Sequence, residues 1–103
     1  MTDSKAGQQP GQNPIQQSEK PVVIYTTQLC GFCHAAKRLL SSKAVDFEEI
    51  AADGNHELRR ELAERTGQDT VPQIWIGQKH VGGFTDLLEL ERQGLLDTML
   101  AKS

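Results

Sequence analysis

One continuous stretch decides the fold: VVIYTTQLCGFCHAAKRLL, residues 22–40. It opens with a short apolar and β-branched run from Val22 to Tyr25, which is typical of a buried strand. After two cysteines, small and large apolar residues recur at helical spacing, which predicts one buried helix face; these residues are Ala35, Ala36, Leu39 and Leu40. A strand therefore passes into a helix at Cys30 and Cys33.

Five further segments continue the alternation of strand and helix patterns. They predict, in order, a half-exposed strand over 45–50, a charged helix over 57–65, strands over 73–76 and 79–81, and one or two closing helices over 87–100. Asn55 precedes the charged helix as a capping residue and Gly67 ends it. A turn at Gly77 and Gln78 joins the last two strands, and Gly94 interrupts the closing helical segment.

The order β-α-β-α-β-β-α predicts an α/β fold with a mixed four-stranded sheet flanked by helices. The first two strands are connected through a helix and should be parallel, with a right-handed crossover. The last two strands are connected by a tight turn and should be antiparallel. We expect helices on both faces of this sheet.

Composition narrows the range of partners. The chain has 103 residues, a formal net charge of −3 and two cysteines. It lacks the basic surface that a nucleic-acid backbone requires, and no apolar run reaches the roughly 18 residues of a membrane span. Its start does not show a secretory-signal pattern. We therefore expect a cytoplasmic protein with no nucleic-acid or membrane partner.

The first twenty residues differ in composition from the rest. Residues 1–20 are rich in Gln, Pro and Gly and contain almost nothing apolar. Such a segment buries too little surface to offset the entropy of ordering it. The sequence therefore predicts a disordered tail over 1–20 and one folded domain over 21–103.

The two cysteines are better placed for chemistry than for stapling the fold. A disulfide between Cys30 and Cys33 would close a very short loop and stabilise the fold little. The first turn of a helix has unpaired N–H groups and partial positive charge, so it lowers a thiol pKa from its ordinary value of about 8.5. We expect Cys30 to be the more exposed nucleophile that forms a mixed disulfide and Cys33 the shielded thiol that resolves it.

Other interpretations of the cysteine pair stay open at this point. Cys30 through His34 match the literal pattern of covalent c-type haem attachment. A structural zinc site needs about four ligands, and the only histidines that could supplement the pair are His34, His56 and His80. Two inert, buried cysteines are a third interpretation. The apolar strand and helix on either side of the pair disfavour haem attachment, and the histidines lack the spacing of a zinc finger. Two cysteines around a glycine at a helix start are unusual for packing alone, so redox chemistry is favoured.

Several separated motifs together resemble the glutaredoxin family, especially its short bacterial members. They are Tyr25-Thr26, Cys30-Gly31-Phe32-Cys33-His34, Thr70-Val71-Pro72 and Gly82-Gly83-Phe84-Thr85-Asp86-Leu87. The resemblance runs from Tyr25 to Leu100 and implies a thioredoxin fold. It also implies a glutathione-dependent oxidoreductase that reduces disulfide-containing and glutathionylated proteins through Cys30 and Cys33. We expect this protein to be a monomer.

The resemblance further implies a glutathione site of six residues. They are Arg59 at the glycine carboxylate, Phe32 beside the thiol, Val71 and Pro72 along the backbone, and Thr85 and Asp86 at the γ-glutamyl end. Pro72 matches the family's cis-proline, which turns the Val71 backbone toward glutathione so that the ligand pairs like an added strand. Asp86 would face the cationic amine.

The chain departs from the family pattern in three places. Gly31-Phe32 replaces a common Pro-Tyr pair. Thr27 and Asp69 stand where basic residues often help to bind the glycine carboxylate of glutathione, and the one at position 27 commonly also lowers the thiol pKa. Their absence implies weaker glutathione binding and a smaller lowering of the Cys30 pKa. Family members without the proline can bind a [2Fe–2S] cluster between two subunits through the first cysteine and one glutathione from each. A homodimer bridged in this way through Cys30 is therefore the alternative hypothesis, with no other metal expected. A third hypothesis is that thioredoxin reductase, instead of glutathione, reduces the oxidised protein. The implied glutathione site disfavours it.

Overall fold

The structure is a computed structural model, and it describes residues 20–102. The tail over 1–20 lies outside the described residues except for Lys20, so the tail and its boundary stay predictions. The elements are β1 (Val22–Thr26), α1 (Gly31–Ser42), β2 (Phe47–Ala51), α2 (His56–Thr66), β3 (Gln73–Ile76), β4 (Lys79–Gly82), α3 (Phe84–Arg92) and α4 (Leu96–Lys102). Within that part of the chain, no helix has the length and apolar character needed to cross a membrane.

The four strands form one mixed sheet in the order β2-β1-β3-β4. Strand β1 is parallel to β2 and antiparallel to β3, and β3 is antiparallel to β4. The predicted sheet and strand directions are confirmed. Central strand β1 is buried at every position, whereas edge strand β2 has none fully buried. This difference explains why β1 is uniformly apolar up to Tyr25 and β2 alternates.

Helices cover both faces of the sheet, as predicted. On one face, Val22 and Ile24 of β1 pack in a cluster with Leu40 of α1, Leu87 of α3 and Leu96 of α4. On the other face, alternate residues of β1 pack against α2 and β3 in a second cluster, which contains Val23, Tyr25, Leu58, Leu62 and Trp75. Because successive strand residues point to opposite faces, the central strands β1 and β3 each contribute to both clusters.

Local chemistry at the helix ends agrees with the sequence. The Asn55 side chain accepts the Leu58 N–H at 3.0 Å and caps α2. Gly67 ends α2 in the left-handed region, with φ 76. After α1, however, Ala44 takes a left-handed φ of 57, where glycine is the favoured residue. The closing segment is two helices, separated at Gly94.

These layers form the thioredoxin fold, and they bring three chain segments to one edge. The register pairs Tyr25, near the end of β1, with Gln73 at the start of β3. It also pairs Gly82, at the end of β4, with Ile74. The cysteine loop after β1, the Val71–Pro72 segment before β3 and the start of α3 therefore lie side by side.

Candidate active site

Cys30 occupies the N-cap of helix α1. Its Sγ accepts the backbone N–H of Cys33 at 3.1 Å, and its carbonyl oxygen accepts the His34 N–H at 3.2 Å. The first turn of α1 contains no acidic residue, so no carboxylate there opposes the positive end of the helix. The expected position of Cys30 at a helix N-terminus is confirmed, and it is one that favours a thiolate.

Cys33 lies one turn into α1 and is 0% exposed, whereas Cys30 is partly exposed. The two cysteines are joined by a disulfide, with a Cα–Cα distance of 5.2 Å. The pair is therefore a two-electron redox couple with one accessible and one inaccessible sulfur. This asymmetry is the one that the sequence predicts.

The Val71–Pro72 segment faces the cysteine pair. The peptide bond between Val71 and Pro72 is cis, as the resemblance implies. The carbonyl oxygen of Val71 lies 3.7 Å from Cys30 Sγ. Gly83 also lies close to this segment, since a Cβ built on it would be 3.6 Å from the Pro72 carbonyl oxygen. Pro72 is thus enclosed between the cysteine loop and the start of α3.

The start of helix α3 carries Thr85 and Asp86, both exposed. One carboxylate oxygen of Asp86, Oδ2, accepts the Gly83 N–H at 2.9 Å and so caps the helix. Gly82 has φ 117, and a Cβ there would collide with the Asp86 carboxylate. Asp86 is therefore an exposed residue with one carboxylate oxygen engaged in the cap, and it lies at a helix start, where N–H groups are unpaired.

Two aromatic rings connect the starts of α1 and α3. Phe32 is 66% exposed, and its ring stacks on that of Phe84 with centroids 6.0 Å apart and planes at 17°. Leu29, directly before Cys30, is 99% exposed. Two exposed apolar side chains, Leu29 and Phe32, thus belong to the chain segment around Cys30.

Arg59 has a different neighbour from the other implied site residues. Its guanidinium donates to the carbonyl oxygen of Asp69 at 3.1 Å. This bond connects α2 to the segment that leads to Pro72, and it does not bring Arg59 into described contact with Cys30. Thr27 is half-buried and Asp69 exposed, and neither supplies a positive charge near the cysteines.

Two side chains that the sequence did not indicate as site residues contact the loop before Cys30. Asp53 accepts the Gln28 N–H through Oδ2 at 2.9 Å. His34 has its Nε2 3.2 Å from the Gln28 carbonyl oxygen. Asp53 lies 25 positions from Gln28 along the chain, and a turn aspartate gives no local signal of such a contact.

The other ionisable groups do not form a metal site. Among residues 20–102, no group of three or more His, Cys, Asp or Glu side chains is arranged to hold a metal ion, so the zinc interpretation finds no ligand set there.

His80 stacks on Trp75 with ring centroids 4.5 Å apart, and burial lowers the His80 pKa. Burial likewise raises the pKa of Tyr25, with Glu61 adding to the shift. These two residues belong to the packing of the sheet.

A partly exposed cysteine at a helix N-terminus, linked to a buried one, supports reversible thiol–disulfide exchange. On this fold, the arrangement defines the class of thioredoxin-fold thiol oxidoreductases. The family model for glutaredoxin matches residues 22–81. The chain belongs to the glutaredoxin family, and thiol oxidoreductase activity follows from that membership.

Individual relatives support the same assignment. The glutaredoxin of Pseudomonas aeruginosa is 62% identical over 81 residues, which cover 79% of this chain and 96% of the relative. Glutaredoxin 3 of Escherichia coli K12 is 51% identical over 79 residues, which cover 77% of this chain and 95% of the relative. The crystal structure of a buckwheat glutaredoxin–glutathione complex matches with a TM-score of 0.80 at 33% identity, over 84% of each chain.

Proposed function

We propose that the protein is a glutathione-dependent dithiol oxidoreductase that reduces protein disulfides and glutathione mixed disulfides. The observation that carries the proposal is the position of Cys30 Sγ at the N-cap of α1, bonded to the Cys33 N–H at 3.1 Å. A thiolate there is stabilised by the helix and open to a substrate sulfur. Cys33, fully buried behind it, is shielded from substrate.

The proposed steps follow from that asymmetry. In the reduced protein, the Cys30 thiolate attacks one sulfur of a substrate disulfide; the new S–S bond forms as the other sulfur leaves as a thiolate, which takes a proton. Cys33, losing its proton, then attacks Cys30 Sγ and releases the second substrate thiol. The substrate gains two electrons and the protein is left with the Cys30–Cys33 disulfide. Two glutathione molecules restore the dithiol and leave as glutathione disulfide.

The surface around Cys30 supports glutathione as the reductant. The Val71 segment lies 3.7 Å from Cys30 Sγ and would pair with the extended tripeptide as an added strand. The start of α3 offers N–H groups to the α-carboxylate of the γ-glutamyl end, and the free oxygen of Asp86 would face its amine, with Thr85 alongside. The match to a glutathione-bound relative is consistent with this placement.

The glycine end of glutathione has less support. Thr27 and Asp69 supply no cation, and the Arg59 guanidinium already donates to the Asp69 carbonyl oxygen. A guanidinium has five N–H donors, so Arg59 can keep this bond and still donate to a carboxylate. We propose Arg59 as the main cationic contact for that carboxylate. Arg59→Ala should then raise the KM for glutathione more than it lowers kcat, with Arg60→Ala on the same helix as the control.

The activity assay is the initial rate of reduction of a glutathionylated peptide, coupled to glutathione and its reductase. We expect a rate well above uncatalysed exchange for the native chain and a background rate for Cys30→Ser. Cys33→Ser should keep this activity, which needs one thiol, and lose most reduction of an intramolecular protein disulfide. Equal loss of both activities in Cys33→Ser would contradict the division of roles. A native rate at background would contradict the proposal itself.

A glutathione-ligated [2Fe–2S] cluster shared by two subunits is a second proposal. Gly31 supports it through the family resemblance, in which members without the proline can bind such a cluster, and the space beside Gly31 next to Cys30 is open. Each chain has one accessible cysteine, Cys30, so glutathione would complete the ligands. Anaerobic reconstitution with iron, sulfide and glutathione tests it, using Gly31→Pro as the comparison. Absence of visible absorbance and of a dimer in the native chain would rule it out.

The compartment and the reduced oligomeric state are also proposals. We propose the cytoplasm, because a cysteine pair of this kind serves as a redox couple where glutathione keeps thiols reduced. We propose a monomer in the absence of a cluster, because Cys30 and its surroundings must stay open to protein substrates. Fractionation of cells and sedimentation of the reduced protein measure these two properties.

A further inference from the structure

The loop that carries Cys30 is held at one residue by two side chains from other elements. Residues 27–30 connect β1 to α1, and Gln28 lies in the middle of this loop. Its N–H donates to Asp53 Oδ2 at 2.9 Å, and its carbonyl oxygen accepts from His34 Nε2 at 3.2 Å. Asp53 follows β2, and His34 lies on α1. We refer to Asp53, Gln28 and His34 together as the Gln28 clamp.

Both bonds of the clamp have a defined direction. A carboxylate only accepts, so Asp53 takes the Gln28 proton; a carbonyl only accepts, so His34 Nε2 carries the proton in the second bond. Gln28 therefore has both of its backbone polar groups satisfied by side chains instead of by a neighbouring strand or helix. The segment between β1 and α1 thus has a fixed backbone position although Gln28, Asp53 and His34 are all exposed.

We propose that Asp53 and His34 are positioning residues that hold Cys30 Sγ over the N-terminus of α1 while the disulfide is open. The proposal rests on the role of Cys30 as nucleophile. In the oxidised protein, the bond to Cys33 already fixes Cys30. On reduction that bond is lost, and the described polar contacts of Cys30 are then the N–H groups of Cys33 and His34 together with the Val71 carbonyl. The clamp, two residues upstream, supplies the remaining restraint.

At Asp53, the clamp acts through geometry and not through charge. A carboxylate near a thiol disfavours the thiolate by like-charge repulsion, so Asp53 cannot assist Cys30 electrostatically. Its hydrogen bond to the Gln28 N–H instead keeps the loop in a position from which Cys30 Sγ can accept the Cys33 N–H. Without the clamp, the loop samples positions in which this bond is broken. The thiolate then loses part of its stabilisation, and less of the nucleophile is present at neutral pH.

A pair of substitutions at Asp53 separates geometry from charge. Asp53→Asn removes the charge but keeps an oxygen that accepts the Gln28 N–H, whereas Asp53→Ala removes both. The readout is the thiol pKa of Cys30, followed by the ultraviolet absorbance of the thiolate in the reduced protein. We expect this pKa to rise in Asp53→Ala and not in Asp53→Asn. Because one hydrogen bond is lost, we also expect Asp53→Ala to reduce the glutathionylated peptide at an initial rate roughly three- to tenfold lower than the native chain near neutral pH.

His34→Ala tests the other half of the clamp, with Arg38→Ala as its control on the exposed surface of the same helix. His34→Ala should raise the thiol pKa, and Arg38→Ala should leave it near the native value. This arm decides the proposal if Asp53→Ala does not fold. Equal pKa changes in Asp53→Ala and Asp53→Asn would show a charge effect and overturn the proposal, as would native values in both Asp53→Ala and His34→Ala.

The same measurements distinguish this proposal from the proposed function. The thiolate titration needs no glutathione, so it reports on the clamp whether or not the glutathione site works. A native chain without glutathione-coupled activity but with a thiol pKa that depends on Asp53 would refute the proposed function alone. A fully active native chain whose thiol pKa is insensitive to both clamp residues would refute the clamp alone.

Discussion

Gly82→Ala is expected to damage the start of helix α3 through two separate effects. Gly82 has φ 117, a backbone region that side chains rarely adopt, and such strain costs about 1–3 kcal/mol. A Cβ at this position would also collide with the Asp86 carboxylate, which caps the helix at Gly83. Loss of the cap costs about 1 kcal/mol, so the free energy of unfolding should fall by about 2–4 kcal/mol in total.

The neighbouring glycine provides a matched control. Gly83 has φ −93, which any residue adopts, and its added Cβ would meet the Pro72 carbonyl oxygen at 3.6 Å, an ordinary contact. Each kcal/mol shifts Tm by about 4–8 °C in a domain of this size. Thermal unfolding followed by circular dichroism should therefore place Gly82→Ala roughly 10 °C or more below Gly83→Ala. Equal Tm values would refute the reasoning.

The same substitution has a functional consequence under the proposed function. The displaced Asp86 carboxylate is the group proposed to face the glutathione amine. Below the Tm of the variant, Gly82→Ala should therefore raise the KM for glutathione while Gly83→Ala has a smaller effect. An unchanged KM in a destabilised Gly82→Ala would show that Asp86 only caps α3.

Three further predictions concern stability. Ala44→Gly should raise the free energy of unfolding by about 0.5–1 kcal/mol in a urea titration, because alanine is strained at the left-handed φ of 57; no gain would contradict this. Burial lowers the His80 pKa, so this residue favours the fold above its ordinary pKa of about 6.5 and costs stability as the pH falls below that value. His80→Phe should therefore lose less stability than His56→Phe on acidification, and equal losses would exclude His80 as the cause. Leu40→Ala, at a fully buried position, should cost about 2–5 kcal/mol. Leu29→Ala, at a position 99% exposed, should cost less than about 0.5 kcal/mol, and similar costs would contradict the packing described.

Local patterns predicted the elements of the fold because each pattern has a local physical cause. The uniformly apolar run at Val22 indicates a strand buried on both faces, and the alternation after Val45 indicates an edge strand. Asn55 and Gly67 act on backbone groups of their own helix, so their roles could be predicted without knowledge of the rest of the chain. Ala44 is an exception, since nothing in its identity indicates a left-handed backbone.

The sequence by itself determined the order of the elements, the two reactive cysteines and their unequal exposure, because strand, turn and helix signals and the CxxC spacing are short-range. Only the tertiary structure decided which distant groups contact Cys30 and the segments beside it. The approach of Val71, the stacking of Phe84 on Phe32, and the contacts of Asp53 and Arg59 with backbone carbonyl or N–H groups all depend on how the sheet brings separate loops to one edge. A side chain that bonds to a backbone group far along the chain carries no sequence signal, because every residue type offers nearly the same backbone group as a partner.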